Sequence, residues 1–276
     1  MENIETLTLL NDFMFGAVMR DPEKCRKLLE CILGVRIKKI EYIENQKVVD
    51  YLKVDAKGVR LDVYVEDDEN TVYDIEMQAT SKKELPKRMR YYQGMIDINT
   101  LQKSKKYSKL KKSYVIFICD FDLYGKGRHI YTFENRCIED NSIAFGDEAT
   151  KIVLSTKGIV DDVNEELKGV LHYIGGEEPT TEFAKELDEA VKKVKSSEEW
   201  RREYMTLMMR DMENQTYGEA IHLVSQIRTK LNKGKNVIQI ADEVEEEATY
   251  VEKIVSIIEE HPDWTDKEIA SELVEE

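Results

Sequence analysis

The chain has 276 residues, of which 41% are hydrophobic and 35% charged, with a formal net charge of -15. That is enough apolar material for a core of ordinary size, arranged as one domain with an appendage or as two small domains. No apolar run approaches the ~20 residues of a membrane span and no charged-then-apolar start resembles a signal peptide, so the expectation is no membrane partner and a cytoplasmic location.

The segment 11–33, NDFMFGAVMRDPEKCRKLLECIL, spaces its apolar residues as helices do, with Asp21-Pro22 breaking it in two and Gly34 as the stop. RIKKIEYI at 36–43 reads as a strand. In VRLDVYV at 59–65 the residues Val59, Leu61, Val63 and Val65 share one face, and Arg60, Asp62 and Tyr64 the other. After the turn-rich EDDEN, the run VYDIEMQ at 72–78 alternates again and groups Val72, Asp74, Glu76 and Gln78. The two strands predict a hairpin. One register sets Asp62 opposite Asp74 and another, two residues along, sets it opposite Glu76; both keep the acids on one face.

A helix is expected over Glu84–Leu101, with Leu85, Met89, Tyr92 and Ile96 as its apolar stripe, Arg88 and Gln93 at its border, and Lys87 and Arg90 further out. SYVIFICDFDL at 113–123 suits a strand covered on both faces, and 128–134 and 151–155 predict further strands. This order makes an α/β layer with a mixed sheet over 1–158, followed by a helical region over 159–276. In that region YMTLMMRDM at 204–212 suggests helix core or a helix–helix contact, and Thr265 with Glu268 forms a capping box for a last helix.

Charge is unevenly spread. Residues 239–276 hold 14 acids against 2 lysines, whereas 82–112 hold 11 Lys or Arg against 2 acids. A basic segment able to follow a DNA backbone is thus hidden within an acidic chain. Cys25, Cys31, Cys119 and Cys137 form no C-x-x-C pair, and the 4 histidines no metal-binding spacing. A zinc site or a disulfide framework is therefore not expected, and buried, inert thiols are.

Asp is disfavoured in strands, so acids at 62, 74 and 76 in otherwise good β sequence call for a reason. On a hairpin they are either a solvated polar face or a site for a hard cation. The order helix, hairpin with D…(D/E), helix and strand resembles the PD-(D/E)xK nuclease fold. More specifically it is similar to the branch of recombination-promoting nucleases and transposases, through NDFMF at 11–15, KGVRLDVYVEDDENTVYDIEMQ at 57–78, LPKRMRYYQGMID at 85–97 and KLKKSYVIFICDFD at 109–122. The resemblance implies a restriction-endonuclease-like core, a central mixed sheet flanked by helices, with a helical C-terminal region. It implies a metal-dependent DNA endonuclease using Mg²⁺, or Mn²⁺ in its place, with Asp62 and Glu76 as metal ligands and Gln78 where the general pattern has lysine. Asp74 would be an auxiliary ligand and Asp12 a supporting residue behind the ligands.

A neutral amide cannot supply the lysine's charge, so Arg60 or Arg88 would restore it, unless both simply pair with acids. The competing expectation, raised by Gln78 and the acidic end, is a catalytically weak or inactive nuclease-fold module that binds DNA or protein. The basic 82–112 segment is the expected DNA contact, and the helical C-terminal region the expected surface for a homodimer or protein partner. A tyrosine nucleophile at Tyr91 or Tyr92 lacks the surrounding phosphate clamps that such chemistry needs, and packing is expected of Tyr92.

Overall fold

The computed structural model describes residues 3–49, 59–81, 83–101 and 104–275. Helix α1 (Asp12–Met19) opens where the Asn11 side chain accepts from the Met14 N–H. Helix α2 (Pro22–Leu33) is capped by the Asp21 carboxylate, which accepts from the N–H groups of Glu23 and Lys24. It stops at Gly34, whose φ of 67° is the left-handed conformation that a side chain would disfavour. The break at Asp21-Pro22 is thus the end of one helix and the cap of the next.

Six strands follow: β1 (Ile40–Val49), β2 (Val59–Asp67), β3 (Val72–Gln78), β4 (Ser113–Cys119), β5 (Ile130–Phe133) and β6 (Ala149–Ser155), with helix α3 (Leu85–Thr100) between β3 and β4. Among the described residues they form one sheet in the order β1-β2-β3-β4-β6-β5. The β3–β4 and β4–β6 pairs are parallel and the others antiparallel. The first strand starts later and runs longer than the 36–43 expected. Its partner ends at Asp67, paired with Ile40, and just beyond it the Lys39 carbonyl accepts from the Asp68 N–H where the chain enters the turn.

The hairpin adopts the second of the two expected registers, with Val63 opposite Ile75 and Tyr64 opposite Asp74. Its turn fixes this: the Asp67 carboxylate accepts from the N–H groups of Glu69 and Thr71, and Asn70 takes a φ of 62°. One sheet face packs Tyr64, Val72, Val115, Phe117 and Val153 against Leu85, Met89 and Ile96 of α3. Helix α1 packs against β1, β2 and β3, and α2 against β1. Strand β4, in the middle, is buried along almost its whole length, as its apolar run requires.

Helices α4 (Glu165–Ile174) and α5 (Glu182–Ser196) pack back on α2 and α1. The chain accordingly divides into compact units at Arg201/Arg202, not at 158/159 where the texture of the sequence turns helical. The long α6 (Glu198–Leu231) crosses this division. In the second unit α7 (Val237–Val244), α8 (Ala248–Glu260) and α9 (Asp266–Glu275) enclose Val224 and Ile227 of α6 with Ile240, Val251, Ile254 and Ile269. The expected capping box opens α9: the Glu268 carboxylate accepts from the Thr265 N–H at 2.7 Å. Met205, Met209 and Met212 are exposed, so of the two roles expected of this run the core one does not hold; apart from Tyr204, the buried residues of α6 are Ala220, Val224 and Ile227 in its later turns. No described helix is long and apolar enough to cross a membrane.

Candidate active site

The polar face of the hairpin is not solvated. Parallel pairing puts Asp74 beside Val115, Glu76 beside Phe117 and Gln78 beside Cys119, and α3 covers that face. Asp62, Asp74, Glu76 and Gln78 are consequently all buried, Asp74 completely and Glu76 to within 2%. Alternation brought them to one face, and the helix that follows closed it.

The regular β2–β3 register ends at Val63 and Ile75. Just beyond it, carboxylates take over the role of carbonyls. The Asp62 N–H donates to Glu76 Oε1 at 2.8 Å, and the Met77 N–H donates to Asp62 Oδ2 at 3.0 Å. Each acid therefore ties its own strand to the other. Among the described residues neither oxygen of Asp74 meets an N–H or hydroxyl donor; its side-chain neighbour is the Glu76 carboxyl, which can share a proton with it. Burial above all, and then the charge of Asp62, push the Asp74 carboxyl well above the usual range. Glu76 is likewise raised, by burial first and then by the charges of Asp74 and Asp62.

Among the described side chains, Arg88, on the first turn of α3, is the cation at this cluster. Its Nη1 donates to Gln78 Oε1 at 2.6 Å and its Nη2 to the Tyr92 hydroxyl at 2.9 Å, and Nη2 lies 3.7 Å from Glu76 Oε2. The guanidinium carbon sits 5.4 Å from the centre of the Tyr92 ring and 5.3 Å from that of Phe117. Burial opposes its charge, but the Tyr92 hydroxyl and the nearby acids outweigh that and hold Arg88 above its ordinary value. Gln78 is oriented from both ends: its oxygen accepts from Arg88, and its Nε2 donates to the Thr80 carbonyl at 2.8 Å. A guanidinium only donates, so the amide must present its oxygen to it.

Tyr92 packs on Phe117 at 5.9 Å, as expected, and also places its hydroxyl on the site. Burial and the charge of Glu76 push that hydroxyl up to about 12, which keeps it protonated. The sequence signal for it is the helical i, i+4 spacing from Arg88. Gln93 is buried behind the site, where its Nε2 donates to Ser113 Oγ at 2.7 Å.

The remaining expectations fare differently. Asp12 lies in the first turn of α1 and accepts from the Phe13 N–H at 2.8 Å. The backbone of Arg60 lies on β2, but its side chain falls outside the described residues. Cys25 and Cys119 are buried, and burial raises both thiols to about 12; Cys31 and Cys137 are partly exposed.

The described bases of the 82–112 segment fall into two groups. Lys83, Lys87 and Arg90 are exposed near the start of α3, which follows directly on Gln78. Lys105, Lys106 and Lys109 are exposed in the loop that leads into Ser113, opposite Val72. At ~3.3 Å per residue, Val72 and Gln78 stand about 20 Å apart along β3. Lys111 is engaged by Glu66 at 2.6 Å.

A donor set made of oxygen alone suits a hard cation, and the orphaned Asp74 oxygens are what such an ion would satisfy. Among the described residues no three His, Cys, Asp or Glu side chains yet converge as a ligand cage. One oxygen each of Asp62 and Glu76 is turned to a backbone N–H.

A family model described as a PD-(D/E)XK nuclease family transposase matches residues 9–149, and this stretch contains all of the site. No match is found among curated proteins or among solved structures.

Proposed function

The chain belongs to the PD-(D/E)XK nuclease family transposases, and from that premise we propose that it is a metal-dependent DNA endonuclease centred on Asp62, Asp74 and Glu76. The observation that carries the reading is the enclosure of three carboxylates beside the Arg88 guanidinium, with neither oxygen of Asp74 meeting an N–H or hydroxyl donor among the described residues. Buried like charges demand protons or a cation to offset them. Asp62 and Glu76, with Asp74 as the auxiliary ligand, would hold Mg²⁺, or Mn²⁺ in its place. Such an ion supplies an activated water and neutralises charge gathering on a phosphodiester.

The protein's own groups do the rest. Arg88 stands where it can stabilise negative charge on the phosphate, the task that the family pattern gives to a lysine at the position of Gln78. Gln78 and Tyr92 hold the guanidinium in place, and their hydrogen bonds to it remove the freedom a long side chain would otherwise lose on binding. Leu85, Met89 and Phe117 keep the floor of the site dry, which strengthens each of these interactions. Asp74 and Glu76, disposed by burial to carry protons, give them up when a cation takes their place.

DNA would reach the carboxylates along the exposed bases at the site end of the sheet. Lys87→Glu with Arg90→Glu is therefore expected to weaken binding of a short duplex by roughly 10-fold or more, and Lys105→Glu with Lys106→Glu by clearly less. Fluorescence anisotropy at one fixed salt concentration measures both; equal losses would count against this path. The activity itself is tested by incubating purified protein with supercoiled plasmid and Mg²⁺ or Mn²⁺. Nicked or linear product that disappears on chelation supports the proposal, and intact plasmid at high enzyme opposes it.

One observation favours the second reading, a nuclease-fold module that binds DNA and cleaves slowly or not at all. Gln78 spends both ends of its amide on Arg88 and Thr80 and brings no charge of its own. Protein that shifts DNA in a gel with Mg²⁺ present, yet leaves plasmid intact, would select that reading.

A further inference from the structure

Strand β5 ends the sheet, and nothing described pairs with its outer side. The His129 carbonyl accepts from the Ser155 N–H, so alternation turns the odd-numbered residues toward β6 and the N–H and C=O groups of Ile130 and Thr132 to the open edge. Exposed strand edges are usually blunted by shortness, a charge, a proline or a bulge, and of these β5 has shortness, at 4 residues. Ile-Tyr-Thr-Phe at 130–133 carries none of the others. The same edge bears an exposed aromatic group: Phe133 is 40% and Tyr124 37% exposed, and the Tyr124 ring lies 4.8 Å from that of Tyr131 and 5.3 Å from that of Phe133.

We propose that the open edge of β5 is where a second copy of this chain pairs, antiparallel, to continue the sheet through a two-fold axis at Tyr131. The register follows from the hydrogen bonds. Only outward-facing residues can bond across the edge, and pairing Ile130 with Thr132 of the other copy satisfies the outward groups of both chains reciprocally. That register sets Tyr131 against Tyr131 and brings both aromatic groups together on one face. It also sets Arg128 of each copy opposite Glu134 of the other, so both ends of the short ladder carry opposite charges. Each of these side chains is about half exposed, at 49% and 47%. Among the described residues Arg128 uses Nε on Asp162 and Glu134 uses Oε2 on Arg136, and their remaining polar atoms face a partner. Gly127, at a φ of 68°, turns the chain out of the strand before Arg128, which confines the ladder to 128–134. The charge match in the register that the backbone demands singles out a second copy over an unrelated extended peptide.

The test is the oligomeric state of the full chain by sedimentation velocity and light scattering at micromolar concentrations. The native chain is expected to be a dimer and Thr132→Pro a monomer, since among the described residues nothing accepts from the Thr132 N–H and proline there removes no hydrogen bond seen within the chain. Glu134→Arg alone is expected to weaken the dimer at least about 10-fold, as is Arg128→Glu alone, and the combined exchange to restore it. Recovery in the double variant does not depend on whether proline is tolerated. A native monomer at ~100 μM, a Thr132→Pro dimer as tight as the native one, or a double exchange no tighter than the single changes would each overturn the proposal. The second of these results would place the contact elsewhere, the helical region included.

Discussion

Glu76→Gln is expected to abolish Mg²⁺-dependent cleavage while making the metal-free protein more stable at neutral and alkaline pH. The activity loss should be on the order of 10³-fold, the scale on which a group acting at the reacting centre is felt. The gain in stability follows from the same burial. The folded-state carboxyl of Glu76 is raised by desolvation and by Asp74 and Asp62, so the folded chain holds a proton that the unfolded chain releases near its ordinary value. Stability from such a group is fully present below the unfolded value and is lost as pH rises toward and through the folded one. A neutral amide escapes that loss. The difference in melting temperature between Glu76→Gln and the native protein should therefore grow with pH in the presence of chelator. Mg²⁺ should then raise the melting temperature of the native protein and not that of the variant. Thermal melts at several pH values with and without Mg²⁺ measure both effects; a variant less stable than the native chain at every pH would contradict the account of Glu76 as an acid whose charge burial and its acidic neighbours disfavour.

Arg88→Met is expected to lower the cleavage rate by roughly 10²- to 10³-fold with little change in duplex affinity, because the guanidinium is placed for charge that develops during the reaction. Arg88→Lys should recover only part of the rate, since an ammonium cannot hold Gln78 and Tyr92 with one planar fork. The sharper result comes from restoring the lysine of the family pattern. In the native background Gln78→Lys removes the acceptor that orients Arg88 and adds a like charge beside it, so activity should fall. In the Arg88→Met background the same Gln78→Lys change should raise activity, because one cation then serves where Arg88 had served. Single-turnover rates of the four proteins measure the coupling; additive effects would show that residues 78 and 88 do not share a task.

How much of this was legible depended on the kind of signal. The hairpin and its acid-bearing face follow from a period of two, which the backbone imposes on any strand. The choice between two registers did not follow, because the turn decides it: Asp67 collecting two N–H groups and Asn70 in the left-handed region are choices that several turn sequences could make. Nor could alternation tell a solvated acid face from a buried one. The difference lies in whether α3 packs across β3 and β4, a tertiary fact. Arg88 was legible as a cation near the acids but not as the holder of Gln78, and Tyr92 was legible as packing but not as a hydrogen-bond partner. The division at Arg201 was hidden because α4 and α5 resemble surface helices, and only their burial against α1 and α2 assigns them to the first unit.

The pairing of carboxylates with backbone N–H groups at the end of the hairpin has a spectroscopic consequence. Within the regular register, at Val63 and Ile75, the strands pair in the ordinary way. The amides of Asp62 and Met77 instead face ionisable acceptors, whose strength changes with every proton or cation that arrives. These amide resonances should move with the state of the site while those inside the ladder stay nearly still. The strand ends would thus act as built-in reporters, visible by NMR without any label placed in the site.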